Sequence, residues 1–412
     1  VKNKLLIIGH TWPEPQSTAA GTRMLQLIEL FKDAGFAITF ASAASRSDYS
    51  YSLTEIDVKE KSILLNDHSF NDWVQEEQFS AVMYDRFMIE EQFGWRFRES
   101  CPPNSINILD TEDLHFLRKA REVALKNNEE VGIKHMHSDH AMREIASIYR
   151  CDVSLIISEY EMELLQNQFS IPSDLLFYLP FLIGQESLLK LKASNFKSFH
   201  NREHFSTIGN FIHKPNYDAA LYLKTEIWPL IRKELPKAEM HVYGAYESPK
   251  VSQLQNEKQG FYIKGRAINA LEVIENSRVV LAPIRFGAGL KGKLFTGMET
   301  GTPFVGTPIA IEGIYLTTTS NLNQIPADFA QQAIELYSHE NLWKRQQELG
   351  FQTLQNRFEI TLFKDKFIFR INDVMINLEH HRLQNFMGQL LQQQAFNSTK
   401  YFSQWIEEKN KG

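Results

Sequence analysis

Between Val279 and Gly313 the chain reads VVLAPIRFGAGLKGKLFTGMETGTPFVGTPIAIEG, a spacing of cations and glycines suited to holding an anion. The apolar run Val279 to Ile284 has the length and β-branched content of a buried strand. Arg285, Gly287, Gly289, Leu290, Lys291, Gly292 and Lys293 follow, and a predicted helix over Leu294 to Thr300 is closed by Gly301 and Pro303. A strand, a loop whose backbone can approach a ligand, cations and a helix N-terminus together suit a phosphate or diphosphate. An ordinary βαβ turn with solvated lysines is the plain alternative. Gly287 to Lys293 also fits G-x-x-x-x-G-K, but Leu294 stands where a P-loop needs a hydroxyl for magnesium.

Other residues carry chemistry of a different kind. The run Asp110 to Arg121, DTEDLHFLRKAR, follows a strand-like stretch, and loops after parallel strands open into ligand clefts. His115 is suited to hydrogen bonding with a substrate hydroxyl, and Asp113 to orienting or deprotonating an acceptor. A structural histidine among aromatic residues is the alternative. Arg118, Lys119, Arg121 and Lys126 give this helix a basic face, either solvated or suited to an anionic lipid-linked acceptor. His135, His137, Asp139 and His140 spell H-x-H-x-D-H, a zinc-like spacing. No buried strand precedes them and an amphipathic helix follows, so a polar helix start is the better account and no metal is expected.

The segment PIRFGAGLKGK…TGTPFVGTPIAIEG, with GNFIHKPNYDA from Gly209 and IWPLIRKELPKAEMHVYG up to Gly244, resembles the donor-binding part of family-four nucleotide-sugar glycosyltransferases (glycosyl transferases group 1). The resemblance implies an α/β chain of GT-B fold, with two Rossmann-like domains whose parallel sheets face a central cleft. It implies transfer of a sugar, with retention and without metal or cofactor, from a nucleotide-sugar donor of UDP or GDP type. The acceptor it implies is a saccharide, lipid-linked or protein-linked glycan, in polysaccharide or other glycoconjugate assembly.

A leaving diphosphate must be stabilised as its charge develops. Arg285, Lys291 and Lys293 are the cations for that, and Gly287, Gly289 and Leu290 the backbone donors to phosphate or sugar. Asn210, His213 and Lys214 form the companion loop, with Asn210 where the family carries an Arg. Gly21 and Arg23 match loosely the family's glycine-containing loop near the donor phosphates; a plain strand-to-helix turn is the alternative there. Two glutamates that hold the donor in the family align with Ala288 and Thr296. Glu299, on the same helical face as Thr296, is the carboxylate left to reach the ribose. This departure favours the alternative of a degenerate GT-B protein that binds a nucleotide sugar or glycan without turnover.

The elements that must position these residues are legible as alternating patterns. Strand-like runs fall at Leu5 to Gly9, Phe36 to Ala41, Ala81 to Asp85, Ile106 to Asp110 and Val153 to Ser158. They recur at Phe205 to Gly209, Met240 to Gly244, Phe261 to Gly265, Val279 to Ile284 and Pro303 to Gly306. Helical periods between them, such as Gly21 to Ala34, predict parallel sheets covered on both faces. A chain of 412 residues is long enough for two cores. The polar stretch Gly184 to Asn201 is the predicted seam, between an acceptor domain over 1–190 and a donor domain over 200–380. A helical segment over 381–412 is expected to pack back on the first domain through Tyr401, Phe402 and Trp405, or to serve as an oligomer contact or a loose tail.

The formal charge of −6 gives no global field for nucleic acid or anionic lipid. Two cysteines without paired spacing suit a reducing compartment. The first apolar run is too short for a signal-peptide core and no run has the length of a membrane span, so a cytoplasmic protein with at most peripheral membrane contact is expected.

Overall fold

A computed structural model describes residues 3–193, 196–314 and 325–411; residues 194 and 195 of the predicted seam lie outside the described residues. Among the described residues twelve strands form two wholly parallel sheets. The N-terminal sheet holds β1 (Lys4–Gly9), β2 (Ala37–Ser42), β3 (Lys59–Ser62), β4 (Ala81–Asp85), β5 (Ile106–Asp110), β6 (Val153–Ile156) and β7 (Leu176–Tyr178), in the order β3-β2-β1-β4-β5-β6-β7. The C-terminal sheet holds β8 (Glu203–Ile208), β9 (Met240–Tyr243), β10 (Phe261–Gly265), β11 (Ser277–Ala282) and β12 (Phe304–Gly306), in the order β10-β9-β8-β11-β12. Every strand-like run in the sequence is a strand here. Apolar patterning missed β3, whose sequence KEKS is charged and largely exposed, and the three-residue β7, both at a sheet edge. Short, charged edges are how sheets avoid pairing with other chains, and they leave no hydrophobic trace.

Alternation along β1 shows why the N-terminal sheet is covered twice. Leu6 and Ile8 join one buried cluster with Val82 and Tyr84, whereas Leu5 and Ile7 join the other with Ala81 and Met83. Successive side chains of a strand point to opposite faces, so near-continuous apolar strands demand a layer on each side. The C-terminal sheet is built likewise around Phe205, Met240, Val279 and Leu281, with Trp228 and Trp343 filling the helix layer.

The two units meet where the chain crosses between them. Ile183 N–H donates to Phe358 O at 2.7 Å and Ile360 N–H to Ile183 O at 3.1 Å, so outgoing and returning segments lie side by side. The return begins earlier than the sequence suggests. Helix Lys364–Ile376 already belongs to the N-terminal core, with Phe367 wholly buried edge-on to Phe31 at 5.0 Å. Removing a buried ring of this kind costs about 3–5 kcal/mol. Phe367→Ala is therefore expected to lower the unfolding free energy by about that amount in a denaturant titration; a loss below about 1 kcal/mol would mean the return helix is not docked in solution.

The last helix, Phe386–Lys411, lies on helices Phe87–Ser100 and Asp139–Arg150, but not through the residues the sequence suggested. Tyr401, Phe402 and Trp405 are exposed at 64%, 61% and 57%. Contact is made by Ser403, which accepts from Arg96 Nη2 at 2.9 Å and donates to Asn66 Oδ1 at 2.9 Å, and by Gly388, pressed against Tyr149 O. Aromatic residues at helical spacing mark a face without saying which way it points. No helix among the described residues is long and apolar enough to cross a membrane. Cys101 and Cys151 are buried free thiols.

Candidate active site

Strand order fixes where a ligand can sit. In each sheet the order reverses once, beside β1 with β4 and beside β8 with β11. Open parallel sheets bind ligands beyond the carboxyl ends of the strands at such reversals. The loops after β8 and β11 are those of Asn210 to His213 and Arg285 to Lys291; the loops after β1, β4 and β5 face them from the other unit.

On the C-terminal side Asn216 joins the two loops. Its Nδ2 donates to Asn210 O at 2.9 Å, and its Oδ1 accepts from Lys293 Nζ at 3.1 Å. Gly209 makes this possible, because a Cβ there would lie 2.5 Å from the Asn216 side chain. Asn216 thereby links the openings of helices Lys214–Tyr222 and Gly292–Glu299; in the sequence it showed only as a helix starter. The Lys291 amine folds onto its own loop, donating to Ala288 O at 3.1 Å and Gly289 O at 2.6 Å. Burial lowers Lys291 to about 8, and burial together with Lys291 lowers Lys293 to about 7. Such amines gain full charge when an anion arrives.

Several of the expected residues have other partners. Arg285 forms a two-pronged ion pair with Asp218, 2.9 Å for Nε to Oδ2, and stacks over Tyr222, so it braces its own helix. Arg23 is buried, paired with Asp110 at 2.8 Å and donating to Leu179 O at 2.7 Å. Its guanidinium holds β5 to the first helix, Ala19–Asp33, and points at no open space. Gly21 is pressed against the Glu14 backbone, and its N–H is capped by Thr18. Lys214 is exposed and reaches across to Glu122 at 3.6 Å. Leu290 is buried in the cluster linking the two units, while Thr296 and Glu299 lie half-buried on helix Gly292–Glu299.

Across the cleft the loop after β5 is held by two glutamates that sequence reasoning did not single out. Helix His115–Lys126 has no side-chain cap of its own. Glu144 accepts from His115 N–H and Phe116 N–H at 3.1 and 2.9 Å, and Glu161 accepts from Leu114 N–H at 3.0 Å, so the orphan donors of the helix are met from neighbouring helices. Asp113 pairs with Arg118 and lies 3.4 Å from His115 Nε2. Burial pushes the Asp113 carboxyl up, but Arg118 with His115 and His213 overrules it and holds it well below the usual range. His115 is lowered to about 3 by burial, against the pull of Asp113, so its imidazole is neutral at pH 7. His213, from the C-terminal unit, keeps solvent contact but is lowered by desolvation and by Arg118, which places it in the same group. Arg86 and Glu112, 3.6 Å apart, complete the cluster with φ of +76° and +63°. Left-handed backbone at two non-glycine residues is strain that the surroundings must hold, and nothing in their residue types announced it. His135, from the zinc-like run, pairs with Glu129 at 2.8 Å, away from this cluster.

The units touch directly. Tyr246 OH donates to Glu14 at 2.8 Å, Arg266 Nε to Ser17 Oγ at 3.0 Å, and Gly292 packs on Ala19. Beside these contacts a cavity of about 580 Å3 lies between Arg46, Asp48 and Tyr49 on one side and Tyr246, Glu247 and Arg266 on the other. The Arg266 guanidinium stacks 4.1 Å over the Tyr49 ring, and Tyr246 meets Tyr49 edge-on at 5.7 Å.

Burial raises Glu144 to about 8 and Glu161 and Glu112 to about 7 from 4.5. Folded carboxyls with raised values bind more protons than unfolded ones, so the stability they give is present at low pH and is lost as pH rises through about 7 to 8. The lowered histidines act oppositely, chiefly below their unfolded value of 6.5, and the lowered Lys291 and Lys293 act oppositely from about 7 upward. Over the fall from pH 8 to 6.5 the gain from Glu144 alone is about 1.5 kcal/mol. The margin in unfolding free energy of the parent over Glu144→Gln is therefore expected to grow by about 1.5 kcal/mol as pH falls from 8 to 6.5; a margin independent of pH over this range would refute the assignment.

Residues 202–339 match the family described as glycosyl transferases group 1. No curated protein matches the chain by sequence. Solved structures similar to it include a mutant of S. aureus TarM held with fondaparinux, alpha-GlcNAc-glycerol and UDP (9% identity, TM-score 0.64, 91% of this chain and 100% of that one). Anabaena HepE with UDP and glucose gives 10% identity, TM-score 0.63, and 90% and 100% coverage. A Rickettsia africae glycosyltransferase gives 12% identity, TM-score 0.60, and 92% and 98% coverage. At such identities the likeness is one of fold, and it spans both sheets and the cleft. The chain as a whole thus has the GT-B fold, and its residues 202–339 are similar in sequence to the glycosyl transferases group 1 family.

Proposed function

We propose that the chain moves a sugar from a nucleoside-diphosphate sugar to a saccharide or glycoconjugate acceptor, with retention of anomeric configuration. The observation that carries this is the pair of enclosed amines, Lys291 and Lys293, at the opening of one helix, tied through Asn216 to the opening of another. Two helix N-termini and two amines short of full charge form a ready site for a diphosphate, and they stabilise it more as it leaves than while it is esterified. These cations take the part that a metal ion would otherwise play. Tyr49, with Arg266 stacked over it and Tyr246 edge-on to it, offers a planar group, such as a nucleobase, a place in the adjoining cavity. Asp113, His115 and His213 face the acceptor side, where a neutral imidazole can share a proton with a sugar hydroxyl.

Because similar structures are held with UDP, uridine diphosphate is the first ligand to try. UDP at 100 times its Kd is expected to stabilise the native protein by about 2.7 kcal/mol, visible as a raised melting temperature with or without magnesium. No shift from UDP, GDP or ADP would sink the donor site. A second reading, binding without turnover, is favoured by Ala288 and Thr296, neither of which carries a carboxylate to grip a donor; it predicts the same thermal shift and no product.

A further inference from the structure

The Gly287 to Lys291 loop is held from the opposite unit. Arg121 donates to Gly287 O at 2.7 Å, and Glu161 Oε1 accepts from Gly289 N–H at 2.9 Å. Gly289 itself lies so near the acceptor-side loop that a Cβ would come within 2.8 Å of the Asp113 Cβ. These partners all follow β5 or β6 in the N-terminal unit. Gly289 adopts φ +63°, so its side of the loop is shaped for contact and has no room for a side chain.

Glu161 is fully buried, and one oxygen serves both units. Oε1 accepts from Leu114 N–H at 3.0 Å as well as from Gly289 N–H, while Oε2 is buried with no partner among the described residues. Arg121 reaches across with a cation, its guanidinium also gripping Glu312, which follows β12, at 2.6 and 3.0 Å. Lys291 donates to carbonyls of this loop, so its amine goes where the loop goes. Lys293 differs, being held within its own unit by Asn216.

We propose that Glu161 and Arg121 are cross-cleft positioning residues, which give the Gly287 to Lys291 loop its working shape only while the units are closed. Closure then delivers Lys291 to the diphosphate, whereas Lys293 is set in advance. Domain closure that completes a site is a general device of enzymes that bind between two lobes. The kinetic half of this inference rests on the sugar-transfer reading; the structural half does not.

The test uses the full chain as parent, Glu161→Ala, Glu161→Gln and Gly289→Ala, compared by small-angle X-ray scattering without ligand and by steady-state transfer from a UDP-sugar. Glu161→Ala is expected to enlarge the radius of gyration and to lower kcat on the order of 100-fold, as loss of alignment does. Glu161→Gln keeps an oxygen acceptor for both N–H groups and is expected to restore both quantities. Gly289→Ala presses a methyl on Asp113 and is expected to open the cleft in the same way, which keeps the test alive if Glu161→Ala does not fold. Scattering identical to the parent in both Glu161→Ala and Gly289→Ala overturns the proposal, as does a Glu161→Gln variant no better than Glu161→Ala. Should the parent neither bind UDP nor transfer, the transfer reading fails by itself and scattering alone decides closure.

Discussion

Lys293→Ala is expected to lower transfer roughly 10²- to 10³-fold, the scale on which one preorganised charge at a leaving group acts. Its amine sits between two helix openings, donating to Asn216 Oδ1 at 3.1 Å, and burial with Lys291 has drawn it to about 7. A lysine in that state is half neutral at pH 7. A diphosphate beside it favours the charged form, so binding must take up protons near neutral pH. Calorimetry of UDP binding in two buffers of different ionisation enthalpy measures that uptake. It is expected to be clearly positive in the parent and smaller in Lys293→Ala. Unchanged kinetics together with absent proton uptake would place the diphosphate elsewhere.

Next in size is the loss from the acceptor-side pair. His115→Ala is expected to lower kcat by about 10²-fold or more, the range for a positioned proton-transfer group. Asp113→Asn is expected to cost a similar amount by another route. Asp113 is nearly buried, grips Arg118 and lies 3.4 Å from His115; on the proposed reading it positions the imidazole and leaves contact with substrate to it. Groups that act as one unit are far from additive. The double variant is therefore expected to be little worse than either single one; losses that multiply would show two independent roles.

How far the sequence carried these conclusions differs between fold and site. The sheets were legible because buried parallel strands are uniform apolar runs, from Leu5 to Gly9 through Pro303 to Gly306. The Gly287 to Lys293 loop stood out as well, because glycines and cations follow an apolar run there, and the structure places it between β11 and a helix opening. What the sequence hid was which partner each charge takes. Arg23 and Arg285 look like free cations in the chain, yet Asp110 and Asp218 occupy them, and those pairings join residues 87 and 67 positions apart. Glu144 and Glu161 were invisible for the converse reason: on amphipathic helices they read as solvated, and only the docking of helix His115–Lys126 gives them backbone donors. Tyr401, Phe402 and Trp405 show the same limit, since a period of 3.6 residues gives a face and not its neighbour.

Turnover by purified protein tests the central claim most directly. The chain would be incubated with UDP-glucose, UDP-galactose and UDP-N-acetylglucosamine, each with a panel of oligosaccharide acceptors, and released UDP and glycosylated product both measured, with Lys293→Ala alongside. The account predicts UDP release that depends on one donor and one class of acceptor, matched by product with the donor's anomeric configuration, and nearly lost in Lys293→Ala. UDP binding without any product across the panel, or product formed equally by Lys293→Ala, would contradict it.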